Sequence, residues 1–397
     1  MDSPTRGKNT ARRSRSWRTV GSNSRRTRSQ AIPKPAYIQN LPNELLTEIF
    51  MRFLPQYPAF PPLVGPNSPT CLLGVCRRWR NLALHTATLW RAIKVGAGDS
   101  DQEFAVALTW LERSCPALLH LHVMVDKAIP ATHPPLQQLF EAVVANRMRW
   151  QYLTLVVEED QAGRFSGPAP NLEYLEIVAN GDDWDPAHSF LLVDAVTLRE
   201  LVLWNVAFNN HSVPWAQLTS LTLLIAEWLD IHSVLSHCTS LIYCKISFWD
   251  ADPEEFPQLK ICLPHLKILV LSLNADDDEE GGMVTQNHFA DTLRHFTLPS
   301  LQRLEISDSL FGVGVPQLEA LIERSQCKLR SLYIASAKHM PRGFFMVQEC
   351  ANSDVLKEID VACLEIDEDL LHGYYGYWQE DVYWESVPEP EESKESV

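Results

Sequence analysis

"NLEYLEIVAN", residues 171–180, carries the pattern that decides the fold. Leu172, Leu175 and Ile177 follow the frame L-x-x-L-x-Φ, where Φ is a large apolar residue. The same frame begins at Leu118, Trp150, Leu172, Leu198, Leu218, Leu241, Leu266, Leu301, Leu329 and Leu356, in steps of 20 to 35 residues. Such a period belongs to stacked supersecondary units, none of which can bury its apolar side alone. Pro116, Pro170, Pro264 and Pro299 each stand two residues before a frame, where a turn should lead into a strand. Between frames the spacing turns helical: Leu136, Leu139, Phe140, Val143 and Val144 share one face, as do Leu318, Leu321 and Ile322. The class expected is α/β.

These frames resemble leucine-rich repeats. The resemblance implies an irregular leucine-rich-repeat solenoid with a parallel concave sheet over residues 96–384, closed by a C-terminal cap at "GYYGYWQEDVYW", 373–384. The family favours Asn or Cys at the ninth position of the frame. Asn180 and Asn274 comply, whereas Val206, Ala226 and Trp249 do not, so an unevenly curved array is expected. Strands alternate faces. With Leu201 and Leu203 inward, Val202 and Trp204 face the concave side, and the same rule places Tyr174, Glu176, Thr222, Leu224, Tyr243, Lys245, Val270, Ser272, Arg303, Glu305 and Tyr333 there. Tyr174, Trp204, Tyr243, Lys245, Arg303 and Tyr333 are the candidate target-binding residues, because aromatics and Arg dominate interface hot spots. The competing reading is that strands favour Tyr, Trp and Val on packing grounds alone.

Upstream, "LPNELLTEIFMRFL", residues 41–54, sets Leu45, Leu46, Ile49, Phe50 and Phe53 in a helical stripe, with Pro42 at the start and Glu44 complementing the helix dipole. A proline-rich link, 55–70, breaks that helix. In "LGVCRRWRNLALHTATLWRAI", 73–93, Val75, Cys76, Trp79, Leu82 and Ala83 join Leu72 on one helical face. Three short helices within sixty residues make a core too small to stand alone. Leu41-Pro42, then Leu45, Leu46, Ile49 and Phe50, then "VCRRW" at 75–79 and "LW" at 89–90, resemble an F-box. The resemblance implies a three-helix module over 37–95 that docks on a Skp-type adaptor, and through it on cullin and RING subunits. The positions it assigns to the adaptor are Leu41, Pro42, Leu45, Leu46, Ile49, Val75, Cys76 and Trp79. The proline-rich link is longer than the family's usual short acidic turn.

The remaining composition sets limits. Hydrophobic content is 46% and charged content 21%, as for soluble globular proteins. No uncharged apolar run reaches the length of a membrane span, so no membrane role is expected. Nine cysteines without a CxxC pair read as small buried apolar residues of a reducing, cytoplasmic or nuclear protein. The net charge of −16 is uneven, since residues 1–30 hold eight Arg and one Lys against one Asp. That Arg/Ser-rich head, within a basic tail over 1–36, has too little apolar surface to fold. Nuclear import, nucleic-acid contact and a mitochondrial presequence are its other readings. An acidic tail, 385–397, stands at the other end. "NADDDEEGG", 274–282, reads as a solvated loop or a selector of basic partners; it lacks EF-hand spacing for calcium.

No catalytic motif is found: GxSxG, HExxH, GxxxxGK[ST] and GxGxxG after a strand are all absent. His120 and His122 alternate on one strand and His232 and His237 lie five apart, without acids or cysteines at ligand spacing, so no metal or cofactor is expected. Asp182, Asp183 and Asp185 around Trp184 read as a polar turn. The function expected is non-catalytic: a substrate-recognition adaptor of an SCF-type ubiquitin ligase whose repeats bind a protein target. The alternative is a nuclear scaffold or nucleic-acid-associated protein acting through the basic tail.

Overall fold

The computed structural model describes residues 37–56, 59–96, 99–124, 133–158, 163–180, 190–206, 208, 211–226, 228–248, 260–273, 292–311, 314–337 and 342–366. The basic head, the acidic loop 274–282, the Asp182–Asp185 turn, the cap at 373–384 and the acidic tail all lie outside them. The chain divides into two compact units, residues 1–43 and 44–397. In the first, a 3-10 turn, Tyr37–Asn40, leads to Leu41, half-buried, and Pro42, exposed.

The helical segment that follows comprises α1 (Asn43–Phe53), α2 (Leu72–Val75) and α3 (Arg77–His85). Then come β1 (Ala92–Val95), α4 (Asp101–Arg113), β2 (Leu119–Met124), α5 (Pro134–Ala145) and β3 (Trp150–Glu158). The middle of the chain supplies β4 (Gly167–Pro168), β5 (Tyr174–Asn180), β6 (Leu192–Val193), β7 (Glu200–Trp204) and β8 (Ser220–Ala226). Next are α6 (Trp228–Leu235), β9 (Tyr243–Phe248), β10 (Ile261–Cys262), β11 (Ile268–Leu273) and β12 (Phe296–Thr297). β13 (Arg303–Ser307), α7 (Val315–Ser325), β14 (Ser331–Ala337), α8 (Arg342–Ala351) and β15 (Asp360–Ile366) complete the described chain.

Among the described residues eleven strands form one parallel sheet in chain order, β1-β2-β3-β5-β7-β8-β9-β11-β13-β14-β15. The frames account for its register. The fourth residue of each frame meets the fourth of the next, giving the ladder Leu121–Leu153–Leu175–Leu201–Leu221–Cys244–Leu269–Leu304–Leu332. All nine are buried, because apolar side chains stacked in register exclude water continuously along the sheet. The tenth frame departs: Leu332 pairs with Val361, not Ile359. A turn beginning at Ser353, whose hydroxyl reaches Glu319, delays β15 by two residues. β1, which carries no frame, adds Ile93 to the other end of the ladder.

Step length decides what lies behind the sheet. Longer steps hold α5, α7 and α8, with Leu136, Leu139, Phe140, Val143, Leu318 and Leu321 buried. The 20-residue step from Leu198 to Leu218 has space only for a 3-10 turn, Trp215–Gln217. The two-residue pairs β4–β6 and β10–β12 form two small sheets of their own.

The sparse ninth-position Asn is offset by donors one residue before the frame. Arg149 Nε donates to Ala117 O at 2.8 Å, Asn171 Nδ2 to Met148 O at 2.8 Å and Ser300 Oγ to Pro264 O at 2.6 Å. Gln217 reaches Ala195 O, and the Thr197 hydroxyl lies 2.8 Å from Pro170 O and 2.9 Å from Leu172 O. Each ties a turn carbonyl of the preceding unit, which would otherwise be poorly satisfied beneath the next unit. Thr197→Val should therefore lower the unfolding free energy by about 1 kcal/mol, read as a shifted urea midpoint. Thr239→Val, which loses only an exposed 3.4 Å bond, should leave it unmoved.

Two sequence expectations change here. The apolar face of residues 72–83 is not one helix: Cys76 is extended (φ −160, ψ 170) and separates α2 from α3. Its thiol accepts from Trp79 N at 3.5 Å, and Arg80 Nε donates to Leu73 O at 2.8 Å, so both broken ends are capped. The cysteines form no disulfide and are not uniformly buried. Cys238, Cys244, Cys327 and Cys350 are buried, whereas Cys71, Cys76, Cys115 and Cys262 are exposed. Burial pushes the Cys238 thiol up to about 12, so it stays protonated.

Candidate functional site

Two surfaces are candidates. The first is the face of the sheet opposite the buried ladder. Two of its rows run Lys94–His122–Thr154–Glu176–Val202–Thr222–Lys245–Val270–Glu305–Tyr333 and Ala92–His120–Tyr152–Tyr174–Glu200–Ser220–Tyr243–Ile268–Arg303–Ser331. A third row sets Val178 beside Trp204 and Leu224. Tyr174, Trp204, Tyr243, Lys245, Arg303 and Tyr333 are all half-buried on this face, while Thr222 and Val270 are buried among their neighbours. Arg303 stacks over Tyr333, 4.6 Å from the ring centroid, and pairs with Glu305 at 3.3 Å. That end of the face is internally compensated.

At the β2–β7 end a hydrogen-bonded network crosses the strands. β3 carries an extra residue between Trp150 and Tyr152, a bulge, and that residue is Gln151. Its amide oxygen lies 3.1 Å from His120 Nε2, and its Nε2 donates to Glu173 Oε1 at 2.9 Å. With the amide oriented by Glu173, His120 Nε2 is the donor. Tyr152 donates to Glu173 Oε2 at 3.0 Å. Thr154 and Tyr174 both donate to Glu176 Oε2, each at 3.0 Å. Burial pushes the Glu176 carboxyl up, against the pull of these two hydroxyls, and burial alone raises Glu200. Phe60, from the proline-rich link, packs edge-on to His122 at 5.9 Å.

Burial, helped by the Arg91 charge, lowers His120 to about 4 against the opposing pull of Gln151 and Glu173. The unfolded chain takes up that proton near pH 6.5 and the folded chain only near 4. The stabilisation is therefore full above pH 6.5 and lost as the pH falls towards 4. The shift corresponds to roughly 3 kcal/mol. Glu176 and Glu200, raised, act in the opposite sense, so the comparison must isolate the histidine. The urea midpoint of the unchanged chain, relative to that of His120→Gln, should fall across this window; parallel pH curves would contradict the assignment.

The second surface is helical. Leu46 and Phe50 of α1 are buried, and Trp79 of α3 packs on Phe50 with ring centroids 4.9 Å apart. Trp90 is fully buried, donates Nε1 to Ala83 O at 2.9 Å and meets Trp110 of α4 edge-on at 5.4 Å. The segment's core is filled from within the chain, yet α1 leaves a second apolar line outside it. Leu45, Ile49 and Phe53, four apart, are 52%, 41% and 39% exposed, and Val75 at the end of α2 is 56% exposed.

Residues 38–95 match the F-box-like family. No curated protein matches the chain. The match supports a coarse role for the F-box-like segment, docking on a Skp-type adaptor as part of an SCF ubiquitin ligase. Of the positions assigned to the adaptor, Pro42, Leu45, Ile49, Val75 and Cys76 are exposed, Leu41 and Trp79 half-buried, and Leu46 buried on the inner face of α1. Cys76 also caps α3.

Sequence reasoning had no use for Tyr152, Thr154, Gln151, Glu173 or Glu200. The alternation rule could have found the first two had it been carried into the frame at Trp150. Gln151 owes its place to a bulge, which leaves no mark in the pattern. Among the described residues no three His, Cys, Asp or Glu gather as metal ligands, and no helix is long and apolar enough to cross a membrane.

Proposed function

We propose that this chain is a substrate receptor of an SCF-type ubiquitin ligase. The observation that carries the reading is the exposed line Leu45–Ile49–Phe53 on an F-box-like segment whose own core is already complete. Apolar side chains aligned on one helix and exposed among the described residues suit a groove on another protein. Residues 37–95 are the docking module, and Leu41, Pro42, Leu45, Ile49, Val75 and Trp79 make or support its contact with the Skp-type adaptor.

Residues 96–384 are degenerate leucine-rich repeats in this reading, supported by nine frames paired position for position. Their open sheet face, with Tyr174, Trp204, Tyr243, Lys245, Arg303 and Tyr333, takes the protein target. The role is positional, and the chain performs no chemistry. A target held on the sheet has its lysines brought to the ubiquitin-charged enzyme carried by the cullin and RING subunits, so the rate gain is one of effective concentration.

The test is co-expression of the whole chain with a Skp-type adaptor, followed by purification through a tag on this chain. Stoichiometric recovery of the adaptor supports the reading. A folded, monomeric chain that leaves the adaptor behind overturns it.

A further inference from the structure

The uncompensated charge of the open sheet face lies at one end. Around Arg303 the cation has both Glu305 and the Tyr333 ring. At the β5–β7 end the carboxylates of Glu176 and Glu200 have no cation among the described residues. Glu176 has one oxygen, Oε2, gripped by the hydroxyls of Thr154 and Tyr174. Its Oε1 takes no donor from the described residues. Glu200 accepts no hydrogen bond there either. The register sets Glu200 opposite Tyr174, and Val202 opposite Glu176. The two glutamates are therefore diagonal neighbours on adjacent strands, roughly 7–8 Å apart along the diagonal.

Their surroundings narrow the ligand. Tyr152 and Tyr174 flank the pair on one side, and Trp204 with Val178 lies on the next row. Aromatic rings beside carboxylates suit an ammonium or guanidinium, which can meet an oxygen and a ring face together. His120 and His122 of β2 and Thr154 of β3 are buried, so the accessible stretch runs from Tyr152 of β3 to β7, two strand spacings or about 10 Å, long enough for some three residues of extended peptide. Phe60 of the proline-rich link packs on His122 of β2, beyond that stretch.

We infer that the β3–β7 end of the sheet face binds an extended segment of a partner protein through a lysine or arginine side chain, received between Glu176 and Glu200 against Tyr174. This rests on the sheet face being the target surface. Tyr174 and Thr154 are positioning residues that fix the Glu176 carboxylate before the cation arrives, which lowers the ordering cost of binding.

The test uses the full chain, purified with its adaptor. Two fluorescent ten-residue peptides share the same Tyr, Val and Ser positions; one carries two arginines and one lysine, the other glutamates in their place. Fluorescence anisotropy at about physiological salt, where long-range attraction is screened, should show binding of the basic peptide alone. The pair Glu176→Gln and Glu200→Gln should weaken it at least tenfold. The control pair Glu112→Gln and Glu323→Gln removes the same charge from exposed helix positions and should change nothing. Equal weakening by both pairs would mean bulk attraction to an acidic chain and overturn the assignment. So would failure of the basic peptide to bind, equal binding of the acidic one, or its displacement by millimolar calcium or magnesium, which would mark a metal site instead. Adaptor recovery is read in the same preparations. Its loss with peptide binding intact would sink the ligase reading alone.

Discussion

Replacing Leu45 and Ile49 together by aspartate is expected to reduce recovery of the Skp-type adaptor by about 100-fold or more while leaving the chain folded. The two effects part because of where the side chains sit. Both residues are half-exposed, whereas Leu46 and Phe50 hold the inside of α1. Surface substitutions away from packing features shift stability by about 0.5 kcal/mol or less. An apolar anchor in a desolvated groove, by contrast, is worth about 2 kcal/mol or more, and two buried charges in its place cost further. Adaptor recovery and the urea midpoint, measured side by side, check this. Undiminished recovery would mean that the exposed line is not the dock; parallel loss of recovery and midpoint would mean misfolding.

Trp90→Ala should produce the largest loss of stability, about 3–5 kcal/mol. Trp90 is fully buried, its indole N–H is satisfied by Ala83 O, it meets Trp110 edge-on and Arg113 lies 4.8 Å over its ring. Truncation leaves a cavity and removes one of the two hydrogen bonds to Ala83 O, which keeps only that from Thr86 N. Trp150 uses the same device, donating to Val143 O at 3.0 Å, seven residues upstream like the Trp90 bond. The helix carrying Ala83 and the strand after Trp90 thus repeat the arrangement of α5 and β3. The last helix of the F-box-like segment serves as the first helix behind the sheet, and one apolar cluster runs from Phe50 to Leu356. Unfolding after Trp90→Ala should therefore be felt in the sheet as well as in the helices. A midpoint unchanged from the parent's would refute the shared core.

The strand register was legible because period-two alternation and a leucine frame encode the same face twice. The helical stripe Leu45, Leu46, Ile49, Phe50 and Phe53 was legible too, but its division into an inner pair, Leu46 and Phe50, and an outer line was not, since spacing alone does not say which edge of a wide stripe meets the core. Three features were not. The break at Cys76 depends on a thiol serving as a helix cap, and cysteine is a rare choice for that position. The delay at β15 depends on a turn held by Ser353 and Glu319, a contact 34 residues long. The network through Gln151 depends on a bulge, which shifts one strand by one residue without altering any hydrophobic spacing. β1 carries no frame at all; its place is set by packing onto β2.

Because each described strand of the large sheet pairs with the sheet strands before and after it in the chain, every newly synthesised strand meets its template already laid down. Such a protein can assemble progressively from its amino end as it leaves the ribosome, without waiting for distant sequence. The same order lets a whole unit be gained or lost between two others with no rewiring. Over evolutionary time the length of the array could drift while the docking end stays as it is.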